Sequence, residues 1–182
     1  KMIRIIAGKH RSRMIKTPSS EIVSPTKNMV REALFSILGR SIQDAIVLDL
    51  FAGSGALGIE AVSRGASKIY FSDCHSEPIR VISENIRLLK EEEKTEIHLC
   101  NYNEMLDYLE RNKVQVDIAF VDPPYESEYY EAAAQRLLDS NITKKGSKII
   151  FESRHEINSL FLKQFDNRHY RYGQTHILIV TK

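Results

Sequence analysis

Residues 46–58 read IVLDLFAGSGALG, and this stretch decides the fold. Ile46, Val47 and Leu48 form an apolar run suited to a buried strand, Gly53, Gly55 and Gly58 satisfy GxGxxG, and the residues after Gly55 suit a helix. A strand that turns through glycines directly into a helix is the nucleoside-binding element of open α/β folds. Asp73 ends the next apolar stretch, where an acid can accept from both hydroxyls of a ribose.

Two cofactor classes use such a turn, and Asp49 separates them. A dinucleotide presents a pyrophosphate to bare amides at a helix N-terminus, and a carboxylate four residues before the first glycine would repel it. S-adenosylmethionine has no phosphate; it has a sulfonium and an amino acid end. Asp49 can bind its ammonium directly or through water, so the turn points to the sulfonium cofactor. Asp49 as a helix cap, and the glycines as close-packing residues, are the plainer alternatives.

Outward from the turn, strand and helix alternate. Residues 46–51, 68–73, 96–100, 117–121 and 147–152 read as strands, and 56–64, 77–92, 104–111 and 127–139 as helices. Ile79, Ile82, Ile86 and Leu89 make one apolar stripe. Such alternation implies a parallel sheet covered on both faces. A last helix is expected near 157–164, followed by strands at 168–172 and 175–181 joined through Gly173 and Gln174 as a tight hairpin. Upstream, Ser24-Pro25-Thr26 opens a helix with Val30, Ala33, Leu34, Ile37 and Leu38 on one side and Gly39 as its stop. Residues 2–7 and 12–16 suggest a small N-terminal hairpin.

The second chemical motif is Asp122-Pro123-Pro124-Tyr125, directly after the strand DIAFV. Its place is the carboxyl edge of the sheet, where open α/β folds bind ligands. The exocyclic amine of a base is a poor nucleophile because its lone pair is delocalised into the ring. Its methylation needs acceptors for two hydrogens. The Asp122 side chain can accept one and the Pro123 carbonyl the other, while the prolines stiffen the loop. Tyr125 offers a ring face on which a base can stack, worth about 1–3 kcal/mol. Alone, Pro-Pro marks a rigid turn; joined to the acidic glycine turn it reads as catalytic.

With 182 residues the chain is read as one domain, a hairpin-and-helix extension over 1–44 and a core over 45–182. No apolar stretch approaches the roughly 20 residues of a membrane helix, so a cytoplasmic protein is expected, without a membrane partner. The histidines show no metal-ligand spacing, no metal is expected, and Cys74 and Cys100 read as buried reduced thiols, with a redox pair near the ends of neighbouring strands as the alternative. The net charge of +2 excludes nothing, but Arg4, Lys9, His10, Arg11, Arg13 and Lys16 crowd the first sixteen residues without an acid. Arg4, Lys9, Arg11 and Arg13 are candidates for contact with a phosphate backbone, as Pro124 is for contact with the base.

The chain resembles the RsmD type of 16S ribosomal RNA guanine-N2 methyltransferase nearly end to end. The similarity is carried by RIIAGKHRSRMI, SPTKNMVREALFSIL, DLFAGSGALGIEAVSRGA, VDPPY, FES and YGQTHILIV. It implies a Rossmann-like methyltransferase fold: a mostly parallel seven-stranded sheet with a terminal antiparallel hairpin. It also implies S-adenosylmethionine as donor, and as partner a guanine of 16S RNA in an assembled or partly assembled small subunit, met by a monomer. Carried over residue by residue, Asp49, Phe51, Gly53 and Gly55 line the donor site and Asp73 holds the ribose. Asn101 stands where relatives carry an aspartate near the adenine amino group, and can accept through its carbonyl oxygen. Ser24 and His75 also depart from the pattern, and Thr26 and Arg31 either help close the pocket around donor and base or simply cap and decorate their helix. The competing readings are a DNA adenine-N6 or cytosine-N4 methyltransferase, a non-catalytic RNA-binding assembly factor and, last, an NAD-dependent reductase.

Overall fold

Apolar runs of four to six residues build the centre of the molecule, because only strands buried on both faces can carry them. The computed structural model describes residues 1–123 and 128–182. In chain order come β1 (Met2–Arg4), β2 (Met14–Lys16), α1 (Pro25–Leu38), β3 (Ile46–Asp49), α2 (Ala56–Ser63), β4 (Lys68–Asp73) and α3 (Ser76–Leu89). Then follow β5 (Thr95–Leu99), α4 (Tyr102–Arg111), β6 (Val116–Val121), α5 (Glu128–Asp139), β7 (Thr143–Ser153), β8 (Asp166–Tyr172) and β9 (Thr175–Thr181).

β1 and β2 pair antiparallel as the expected hairpin. The other strands form a seven-stranded sheet in the order β5-β4-β3-β6-β7-β9-β8. β9 is antiparallel to both of its neighbours and every other pairing is parallel. The strand order reverses between β3 and β6, which opens a crevice at their carboxyl ends.

Strand alternation sorts the core into two layers. Val47, Ile69, Phe71, Ile118, Phe120 and Ile150 pack on one face with Phe35 of α1, Ile59 of α2 and Ile82 of α3. Leu48, Tyr70, Ala119, Val121, Ile149 and Phe151 pack on the other with Leu106 of α4 and Leu137 of α5.

Two expectations needed correction in this part of the chain. Over 157–164 only a short 3₁₀ turn forms, Leu162–Gln164. Leu160 is 81% exposed there, so no continuous apolar stripe offsets the cost of nucleating a short helix. The first core strand stops at Asp49 rather than at residue 51, because Leu50 already enters the turn.

The hairpin is fastened by a buried acid. Glu60 of α2, 1% exposed, accepts the N–H of Ile6 at 2.9 Å, the N–H of Ala7 at 3.1 Å and Arg64 Nε at 2.8 Å. Arg31 is buried as well, with Nε 3.8 Å from Glu60 and its terminal nitrogen donating to the Arg4 carbonyl at 2.7 Å. Arg31 therefore ties hairpin to helix, away from the pocket it was a candidate to close, while Thr26 stays exposed.

Candidate active site at the carboxyl edge of the sheet

Asp49 and Asp73 occupy the carboxyl ends of β3 and β4, and Asp122 follows β6 directly. The period of two puts Asp49 and Asp73 on the sheet face of Val47 and Phe71, and Asp122 continues the alternation of Ile118 and Phe120. Three acids thus share one face at the crevice.

Asp49 is 3% exposed and its Oδ2 accepts the Gly58 N–H at 3.0 Å. Burial pushes its carboxyl up to about 7, the Gly58 hydrogen bond opposes this, and the charge of Asp73 adds to it. An acid so placed gains most from a cationic ligand.

Asp73 spans the turn: Oδ2 accepts the Gly53 N–H and Oδ1 the His75 N–H, both at 2.9 Å. Gly55 precedes α2 at φ +75°, in the left-handed region where a Cβ is strained, and a Cβ there would stand 2.8 Å from Ile82 Cγ1. At Gly58 a Cβ would overlap the Phe71 ring, so this glycine lets helix and strand close together while its amide reaches Asp49.

Asn101 caps α4: its Oδ1 accepts the Glu104 N–H at 2.9 Å, and the Glu104 side chain accepts the Asn101 N–H at 3.4 Å. The carbonyl oxygen expected to face an adenine amino group is therefore engaged in the helix cap. That oxygen keeps a second lone pair and the amide nitrogen keeps its donors for a ligand.

Asp122 is exposed to solvent yet crowded by surrounding protein. This partial loss of water, and then the like charge of Glu152, push its carboxyl well above the ordinary range, while Lys27 pulls it back. Pro123 is buried behind it. Pro124 and Tyr125 lie outside the described residues.

Three features escaped the sequence reading. Phe51 stands 5.7 Å from the Tyr102 ring and 6.3 Å from the Tyr129 ring, and the two tyrosines are 5.5 Å apart, so an aromatic trio borders the crevice. The two tyrosines follow their partner by 51 and 78 positions, and no local pattern joins them. Lys27, ion-paired to Glu21 at 3.4 Å, is the cation that bears on Asp122 and Glu152. Glu152 carried a visible signal, an acid closing the apolar strand IIF.

The basic residues are not gathered at this edge. α2 and α3 start at the crevice and run back along the sheet, and the hairpin tip sits at their far ends. Lys9 Nζ pairs with Glu91 at 2.9 Å, His10 Nε2 meets the same carboxylate at 2.7 Å, and Arg13 donates to the Leu88 carbonyl at 3.2 Å. Burial would raise Glu91, but its hydrogen bonds from Lys9 and His10 outweigh this and hold it below the usual range. Arg4 and Arg11 are exposed.

Cys74 is exposed and Cys100 half-buried, both as free thiols, so neither is the fully buried thiol expected. Burial and the charge of Glu104 push the Cys100 thiol up. Asp73, Cys74 and His75 bring three donor atoms within 4.8 Å of one another, a grouping that their adjacency in sequence did not suggest. Both Asp73 oxygens in it already accept backbone N–H groups. No helix among the described residues is long and apolar enough to cross a membrane.

A model of the family described as Conserved hypothetical protein 95 matches residues 3–181. The chain belongs to that family. The Haemophilus influenzae protein named Ribosomal RNA small subunit methyltransferase D is 36% identical over 154 residues, which cover 83% of this family member and 78% of that protein. Among solved structures, yhhF of Escherichia coli matches with a TM-score of 0.86 at 30% identity, covering 100% of this chain and 98% of that one. A Thermus thermophilus 16S rRNA N2 methyltransferase in complex with AdoMet and guanosine matches at a TM-score of 0.74 and 19% identity, covering 100% of this chain and 50% of that one, and shares the fold. These matches bear out the resemblance to RsmD-type enzymes and the Rossmann-like sheet read from the sequence.

Proposed function

We propose that this chain transfers a methyl group from S-adenosylmethionine to the exocyclic N2 of a guanine in small-subunit ribosomal RNA. The observation that carries the reading is the pairing of a buried, cation-seeking Asp49 with an exposed Asp122 just past the end of the neighbouring strand, both at the crevice.

The residues present fit the donor. Asp49 has a carboxyl oxygen beyond the one on Gly58 for the methionyl ammonium, Asp73 stands where ribose hydroxyls would lie, and Phe51 offers an apolar wall. When bound, the donor supplies an electrophilic methyl carbon on a sulfonium, which N2 attacks as the carbon–sulfur electron pair returns to sulfur.

The chain's own residues do the rest. Asp122 accepts one N2 hydrogen and the Pro123 carbonyl the other, which turns the nitrogen lone pair toward the methyl group. Because crowding and Glu152 raise the Asp122 carboxyl, it is also a competent acceptor for the proton that N2 loses. Tyr125 would stack the base in this scheme, and Pro124 would border it. Arg4 and Arg11, exposed on the hairpin, are free to meet phosphates, whereas Lys9 and Arg13 would have to leave partners on α3 or its end.

The test is methyl transfer from labelled S-adenosylmethionine to small ribosomal subunits, followed by nucleoside analysis of the RNA. N2-methylguanosine at one position supports the reading. Label on adenine, or on DNA offered in parallel, overturns it.

A further inference from the structure

We infer that Glu152, at the end of β7, is the second acceptor of the base site and reads the N1–H of guanine, selecting guanine over purines whose N1 bears no hydrogen. The inference rests on the reading of the crevice as a guanine-N2 methyltransferase site.

Register carries it. β6 and β7 are parallel neighbours with Val121 opposite Phe151, so Asp122 and Glu152 follow as the next opposed pair, about 5 Å apart along the sheet. Phe120 and Ile150 precede them on the face of α1, so alternation brings both carboxyls to that face, beside Asp49. Tyr130 donates its hydroxyl to the Glu152 carbonyl and fixes the backbone there. The Glu152 side chain is half-buried, facing Asp122, Lys27 and Glu21.

Guanine presents N1–H and N2–H side by side on one edge. Two carboxyls on adjacent strands offer a matching pair of acceptors. Partial burial raises both carboxyls and the charge of Glu152 raises Asp122 further, while Lys27, which faces both, draws them back toward the anion. As carboxylates the two present acceptor oxygens and no donor. Adenine, or 2-aminopurine with its intact 2-amino group, presents a bare N1 lone pair to Glu152 and is turned away by oxygen–nitrogen repulsion.

The experiment titrates the protein, saturated with S-adenosylhomocysteine, with 2-aminopurine riboside by fluorescence and then with guanosine in competition. The wild type should prefer guanosine by about tenfold or more, the scale of one charge-assisted hydrogen bond. Glu152→Gln should narrow the preference to about threefold or less, because its amide can donate to the bare N1; S-adenosylhomocysteine affinity and Tm should not move. A preference that survives in Glu152→Gln overturns the inference. So does a wild type that fails to distinguish the two nucleosides, including one that binds neither. Failure of the underlying reading shows elsewhere, as the absence of N2-methylguanosine in methylated subunits. N2-methylguanosine formed together with an unchanged preference removes only the role of Glu152.

Discussion

The Asp49 carboxylate at the tip of β3 accepts the Gly58 N–H of α2 at 3.0 Å, so one acid both anchors the helix and faces the crevice. The cap satisfies an amide at the start of α2 that has no intrahelical partner. It leaves the other oxygen buried, and that is what lifts the carboxyl to about 7.

Donor affinity should therefore depend on pH. Below about 7 Asp49 is protonated in the free protein, and an ammonium needs its anion, so binding releases a proton. S-adenosylmethionine affinity should rise by up to about tenfold per pH unit toward pH 7 and level off above it. Asp49→Asn should flatten this dependence and weaken binding at neutral pH. Titration calorimetry from pH 5.5 to 8.5 in buffers of different ionisation enthalpy checks both. The same raised value makes Asp49 favour the fold below the ordinary carboxylate range, an advantage lost as pH rises through about 7.

Asp122→Ala should lower kcat on small subunits by about a hundredfold or more and leave the donor dissociation constant within about twofold. Rapid-quench methyl transfer and donor calorimetry on one preparation separate these effects. Equal losses in both would contradict the division of roles between Asp49 and Asp122.

Glu60→Ala should destabilise the protein by about 3–5 kcal/mol, because it leaves Arg31 buried without its counter-charge and two hairpin amides without their acceptor. Tm and protease cleavage within residues 4–13 report it; an unchanged Tm would contradict the network.

Neutralising Arg4 and Arg11 together should weaken binding to small subunits and reduce the slope of log affinity against log salt by about 0.7–0.9 for each phosphate left without its arginine. Neutralising Lys9 should instead lower Tm, since it opposes the buried Glu91. An unaltered salt slope in the first variant would assign the exposed arginines no part in the interface.

What the sequence made legible follows from the range of each interaction. The glycine turn is local: residues 49–58 contain both the acid and the amide that it accepts, so strand, turn and helix are legible there, as is a capping role for Asp49. Strand and helix identities are legible for the same reason, except over 157–164, where the expected helix is only a 3₁₀ turn. Asn101 has a second role, as the cap of α4, which shows only once the helix begins at Tyr102. Lys9 reads in the sequence as a phosphate-contact candidate, yet it meets an acid 82 positions later. Glu152 and Asp122 are 30 residues apart, and only the β6–β7 register makes them neighbours.

That register has a wider consequence. Asp49, Asp73, Asp122 and Glu152 lie on one sheet face, so the crevice acts as an electrostatic sieve: a cation is drawn in, and a phosphodiester is held at the rim. A nucleotide can present its base here only by projecting it ahead of its own backbone, at a distance from the phosphates on either side. On the proposed function a base stacked in a helix must first be flipped out, at a cost of a few kcal/mol, so a residue already splayed out of its strand is the cheaper form to admit.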